Sequence, residues 1–190
     1  MEIIQAIIVF LSVFTLSQCQ QCGMPDPENR IVGGSAARKH QYPWMVLMKV
    51  RYRAGLSMME AQCGASIIND QWAVTAAHCF EQPQGAQLDS VNLGIGKQYS
   101  KQHESDELDL KAQRVIVNKN FNRQSMKNDI AMVKFDRKLD FKKLGVKPIC
   151  LPSANGLNSV DKDKCMASGW GKTQAGKNLI YISIYIFIIK

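Results

Sequence analysis

Three short segments stand out, two of which carry a histidine and an aspartate of the types that acyl-transfer chemistry uses. They are Arg30-Ile31-Val32-Gly33-Gly34, Val74-Thr75-Ala76-Ala77-His78-Cys79 and Asn128-Asp129-Ile130-Ala131-Met132-Val133. A serine hydroxyl is a weak nucleophile until a base removes its proton. A neutral imidazole can be that base, and a carboxylate can fix its tautomer and steady the imidazolium. His78 and Asp129 are of the right types, but 51 positions separate them, so only tertiary folding can join them. Taken singly, each has a plainer reading. A lone His beside a Cys is most often structural, and Asp129 after Asn128 would serve as a turn or cap residue. A zinc reading of Cys63, His78 and Cys79 offers three donors where tetrahedral zinc takes four. No metal and no cofactor is expected.

Positioning such a pair falls to the elements around it. The 190 residues are 46% hydrophobic and 21% charged, with 13 Gly and 6 Pro. That composition is ordinary for a globular protein and excludes collagen, a coiled coil and a mostly disordered chain. The middle of the chain reads as all-β. Candidate strands are Trp44 to Val50, Gly64 to Ile68, Trp72 to Thr75, Val91 to Ile95, Arg114 to Val117 and Ile130 to Phe135. Asn69-Asp70-Gln71 reads as a tight turn. Short strands divided by Gly, Asn, Asp and Pro predict a barrel or a sandwich. No helical period persists over three turns before position 140, and no internal repeat is visible.

Further landmarks appear in chain order: Tyr42-Pro43-Trp44, Cys63-Gly64, Pro148-Ile149-Cys150-Leu151-Pro152 and Cys165-Met166-Ala167-Ser168-Gly169-Trp170-Gly171. With the three segments above, they resemble the trypsin/chymotrypsin family of serine proteases from about Cys22 to Thr173. The resemblance implies an all-β, trypsin-like double β-barrel. It implies His78 as general base and Asp129 as its orienting carboxylate. It implies a Cys63–Cys79 disulfide that holds the turn of His78 against the neighbouring strand. That bridge would close a loop of 16 residues, worth about 3 kcal/mol in the chain-entropy picture. It also implies a Cys22–Cys150 bond that keeps a cleaved propeptide tethered. Arg30-Ile31 matches the family's activation bond, so a trypsin-like activator is an expected partner, beside protein or peptide substrates. In the family the freed α-amino group pairs with a buried Asp just before the catalytic Ser.

The sequence departs from the family where the nucleophile belongs. A Gly-Asp-Ser-Gly-Gly segment is expected well beyond Gly171, and none occurs. Ser183 follows Trp170 but sits in Tyr-Ile-Ser-Ile-Tyr with no adjacent Gly, and it is not assigned as nucleophile. With that segment go the oxyanion-hole amides, the pocket acid and the partner for Ile31. Cys165 is left unpaired. A six-stranded barrel needs roughly 60 residues, and 38 follow Pro152. The expected organisation is therefore a complete N-terminal barrel in residues 31–141. A connector and the start of an incomplete C-terminal barrel follow in residues 142–176, then an aberrant apolar tail in residues 177–190. Twelve of the fourteen tail residues are Ile, Tyr, Phe, Asn or Lys, types with A/T-rich codons, as translated non-coding sequence would give. Leu179 to Ile189 would span about 16 Å as a helix against about 30 Å of hydrocarbon, so a simple anchor is excluded. A chain with these features is expected to be inactive as written. The other readings are a protein-binding decoy and a truncated gene-model product.

The N-terminus carries an address. Ile3 to Leu16 is almost wholly apolar and is followed by the polar stretch Ser17-Gln18-Cys19-Gln20-Gln21. This predicts a secretory signal peptide over residues 1–19 and a propeptide over residues 20–30, although Glu2 replaces the usual basic residue. Fourteen residues are short for a membrane span, which needs about 20. Secretion would place the cysteines in an oxidising compartment, where they read as disulfides. The net charge is +8, and beyond Arg30 there are 23 basic against 13 acidic residues. They are scattered, with no basic stripe interleaved with aromatics, so nucleic acid is not an expected partner. Glu104, Asp106, Glu107 and Asp109 lie near a loop where some family members bind calcium. Leu93-Gly94-Ile95-Gly96-Lys97 has no carboxylate after Gly94, so a solvated loop is expected there.

Overall fold

The computed structural model describes residues 22, 37–97, 105, 107–151 and 168–170. Six strands account for most of them: β1 (Met45–Ala54), β2 (Ser57–Ile67), β3 (Trp72–Thr75), β4 (Gln87–Ile95), β5 (Leu108–Val117) and β6 (Ala131–Phe135). They close into one barrel in the order β1-β2-β3-β6-β5-β4, with β1 pairing back onto β4. Every pairing is antiparallel. Closure leaves these strands no open edge.

Alternation drives the closure. Val46, Met48, Val50 and Tyr52 of β1, Val91, Leu93 and Ile95 of β4, and Val133 and Phe135 of β6 all point into one core. Successive strand residues face opposite sides, so one parity fills the interior and the other faces outward. Leu47 breaks that division. It has the outward parity and stands outside the core cluster, yet it is 1% exposed. This side of β1 is therefore covered too. Next to it, Ser168 Oγ donates to Met45 Sδ at 3.4 Å, and Trp170 is buried.

The strands run longer than the apolar runs that announce them. β1 continues past Val50 to Ala54, and β2 begins at Ser57 rather than Gly64. Arg51, Arg53 and Glu60 interrupt the hydrophobic signal because they occupy an exposed arm, with Arg51 Nε 2.8 Å from Glu60 Oε2. The arm turns at Gly55-Leu56, where Gly55 takes φ +59°. β5 begins at Leu108, ahead of Arg114, for the same reason: charged residues alternate along it. The turn at 69–71 forms as expected, with Asn69 Oδ1 accepting the backbone N–H of Gln71 and Trp72, each at 2.9 Å.

The connector opens with a single helical turn, α1 (Phe141–Leu144), which the sequence reading passed over. Asp140 caps it by accepting Lys142 N–H and Lys143 N–H, and Gly145 ends it at φ +62°. The connector then stays on the barrel, with Lys147 N–H donating to Pro43 O and Ile149 N–H to Ile67 O. Of the C-terminal barrel expected from the sequence, only Ser168–Trp170 lie within the described residues. The signal peptide, the Arg30-Ile31 bond, Cys165, Ser183 and the tail lie outside them.

Candidate active site

β3 ends at Thr75, and the chain turns through extended Ala76 into a 3₁₀ helix, Ala77–Phe80, which carries His78 and Cys79. The Thr75 hydroxyl donates to Gly64 O at 2.7 Å, tying the strand end to β2. Asp129 arrives from the other side, two residues ahead of β6. Asn128 takes φ +58° just before it and donates its side-chain amide to Asn120 O at 2.9 Å. The pairing Thr75↔Ala131 in the β3–β6 ladder explains the encounter. His78 lies three residues after one member of that pair and Asp129 two before the other. Closing the ladder thus brings two residues 51 apart to the same end of the barrel.

There the carboxylate meets the turn twice. His78 Nδ1 lies 2.7 Å from Asp129 Oδ2, and His78 N–H donates to Asp129 Oδ1 at 2.8 Å. The imidazole side chain is 20% exposed and the carboxylate 9%, so the pair sits at the rim of the barrel with its carboxylate sheltered. An ionised carboxylate only accepts, so Nδ1 carries the proton and Nε2 is the basic nitrogen. That is the arrangement a general base needs.

Cys63 of β2 and Cys79 are disulfide-bonded, with Cα atoms 6.3 Å apart. The bond clamps the His78 turn to the strand beside it. The donor atoms of Cys63, His78 and Cys79 lie within 4.8 Å of one another. The two sulfurs are bonded to each other, however, and three donors fall short of a tetrahedral set, so the cluster does not fit a metal. Cys22 is bonded to Cys150 across 128 positions. Cys19-Gln20-Gln21-Cys22 has Cys-x-x-Cys spacing, but Cys22 is committed to the connector instead.

In the acidic stretch after β4, Glu107 departs from the expected solvated loop. Glu107 is buried, and Lys97 Nζ sits 2.8 Å from its Oε2 and 3.3 Å from Asp109 Oδ1. The ammonium supplies the positive charge these carboxylates need. Burial alone would lower the Lys97 pKa, but the hydrogen bond to Glu107 and the charge of Asp109 outweigh it and hold the pKa above the ordinary lysine value. Glu104 and Asp106 lie outside the described residues.

Two features escaped the sequence reading. One is the Lys97–Glu107 pair. The other is Tyr52, whose hydroxyl donates to Cys79 O at 2.9 Å. Continuing the β1 alternation from Val46, Met48 and Val50 by one more step would have marked Tyr52 as interior.

Comparison with known proteins bears on the family and the fold. A family model described as Trypsin matches residues 31–186. The chain is 30% identical over 171 residues to CLIP domain-containing serine protease B4 of Anopheles gambiae, covering 84% of this chain and 46% of that protein. The solved structure of HL collagenase superposes with a TM-score of 0.61 at 25% identity, covering 80% of this chain and 60% of that one. The chain thus spans about half the length of the curated relative and three-fifths of the solved one.

Proposed function

The chain belongs to the trypsin family of serine proteases, and from that premise we propose that it carries the proton-handling half of a secreted, trypsin-like endopeptidase zymogen. In this reading His78 Nε2 takes the proton of an attacking serine hydroxyl, and Asp129 holds the imidazole in the required tautomer and steadies the imidazolium. The observation that carries it is the double grip of Asp129 on the His78 turn, at 2.7 and 2.8 Å. The substrates are proteins or peptides. The Arg30-Ile31 bond is the activation site for a trypsin-like protease. The Cys22–Cys150 bond would keep the propeptide attached after that cut. Secretion fits the two disulfides, which form and persist in oxidising compartments. Among the described residues no helix is long and apolar enough to cross a membrane.

The 190 residues contain no Gly-Asp-Ser-Gly segment. We therefore propose that this polypeptide alone has no peptidase activity. Loss of the serine from a comparable triad costs about a millionfold in turnover. The test is fluorophosphonate labelling of the purified chain, together with peptide turnover. Neither is expected above background, and stoichiometric labelling that His78→Ala abolishes would overturn the proposal.

A further inference from the structure

The 3₁₀ turn that carries His78 is four residues long, too short to hold its own shape. Its N-cap Ala76 makes no side-chain cap, and Glu81 N–H closes the turn onto His78 O. Its position is set from outside. The Cys63–Cys79 bond fixes the Cys79 side chain, and Asp129 fixes the His78 amide. A further tie comes from β1, where the Tyr52 hydroxyl donates to Cys79 O in a buried bond.

Tyr52 is built into this position. It is 2% exposed. The β1–β4 register shifts between Arg51, opposite Ser90, and Tyr52, opposite Leu88. Asp89 is the extra residue of that bulge. Arg53 Nη2 holds it at 3.0 Å, and Ser90 Oγ donates to its other oxygen at 3.1 Å. Bulges re-aim side chains and sharpen the local twist. Burial, and secondarily the Glu81 carboxylate, raise the phenol pKa above its ordinary value, so the hydroxyl remains a donor.

We infer that Tyr52 is a positioning residue for His78: its hydroxyl, bonded to Cys79 O, orients the 3₁₀ turn so that Nδ1 meets the Asp129 carboxylate. This rests on the reading of His78 and Asp129 as a base pair. The disulfide holds the turn by a side chain and leaves its carbonyls free to tilt. The Tyr52 bond holds one of those carbonyls one residue beyond the imidazole.

The test is proton NMR on the oxidised 190-residue chain. A His78 Nδ1–H shared with a carboxylate resonates far downfield and exchanges slowly with water, and His78→Ala assigns it by its disappearance. Tyr52→Phe is expected to speed that exchange roughly fivefold, the worth of one net hydrogen bond. Asp140→Ala removes capping bonds of similar worth from α1 and is expected to leave the proton unchanged. Arg53→Ala, which loosens the bulge from the surface, is expected to act in the same direction as Tyr52→Phe but less strongly; it decides the matter if Tyr52→Phe does not fold. An unaltered downfield proton in the folded Tyr52 variant, or in Arg53→Ala alone, overturns the inference. If the unmodified chain lacks this proton, or Asp129→Asn leaves it untouched, the base-pair reading fails and the inference with it. If Asp129→Asn abolishes it while Tyr52→Phe does not move it, the inference alone fails.

Discussion

Asp129 grips the turn of His78 with both of its oxygens, Oδ2 on the imidazole Nδ1 and Oδ1 on the backbone N–H of the same residue. One contact sets the tautomer and the other sets the place of the ring. The same carboxylate therefore faces the candidate base and also ties down the turn that carries it.

Separating those roles is a matter of two substitutions. Asp129→Asn retains an oxygen for the backbone N–H, whereas Asp129→Ala leaves a sheltered donor without a partner. The alanine variant is expected to lose about 1–3 kcal/mol of stability and the asparagine variant less, measured by urea unfolding of the full chain. Equal losses would show that the backbone contact contributes little.

The Cys63–Cys79 bond closes a loop of 16 residues. Replacing both cysteines with Ala is expected to lower the unfolding free energy by about 3 kcal/mol. The far-ultraviolet circular dichroism of the barrel is expected to persist, because neither Cys63 nor Cys79 is a member of the β2–β3 or β3–β6 ladder. Loss of the β spectrum at low denaturant would contradict this.

Lys97 and Glu107 form an ion pair whose side chains are almost completely enclosed. Lys97→Met strands a buried carboxylate and is expected to cost about 3–5 kcal/mol. Gly94 leaves room for the lysine stem, since a Cβ there would lie 2.5 Å from Lys97 Cε. Gly94→Ala is therefore expected to be destabilising, and the double variant less so than the summed singles. The Lys97 pKa is raised in the fold. Its contribution is thus whole below the unfolded value near 10.5 and is lost as pH climbs through the higher folded value. An alkaline loss of stability present in the unmodified chain and missing from Lys97→Met, followed by thermal unfolding across that range, checks the sign.

Asn128 stands in the left-handed region at φ +58° immediately before Asp129. Asn128→Ala adds backbone strain to the loss of the Asn120 hydrogen bond and is expected to cost about 1–3 kcal/mol. Asn128→Gly relieves the strain and is expected to cost less. A glycine variant less stable than the alanine variant would count against a conformational role for this residue.

Much of the barrel was legible in the sequence because its core follows local alternation. Trp72 to Thr75 matches β3 from end to end, and the apolar parts of β1, β4 and β6 are visible as runs of Val, Ile, Leu and Met. The outer arm of β1 and β2 was not legible, because its charges mask the strand: Arg51 pairs with Glu60 across the hairpin, and Arg53 pairs with Asp89 of β4. The Lys97–Glu107 pair was hidden for a similar reason: as letters, a lysine and a row of acids describe a solvated loop, and burial is what makes them a pair.

The amino-acid sequence by itself marked the apolar parts of the strands and the turn at Asn69, since these are written in residue type and short-range spacing, while the imidazole and the carboxylate were singled out by the resemblance of their segments to a known family. The tertiary structure alone decided that His78 and Asp129 touch, that Tyr52 reaches Cys79, and that Lys97 lies against Glu107. Those contacts join positions that no local pattern relates. They exist because closing β3 onto β6 and β1 onto β4 brings distant backbone into register, and only then can a proton donor find its acceptor.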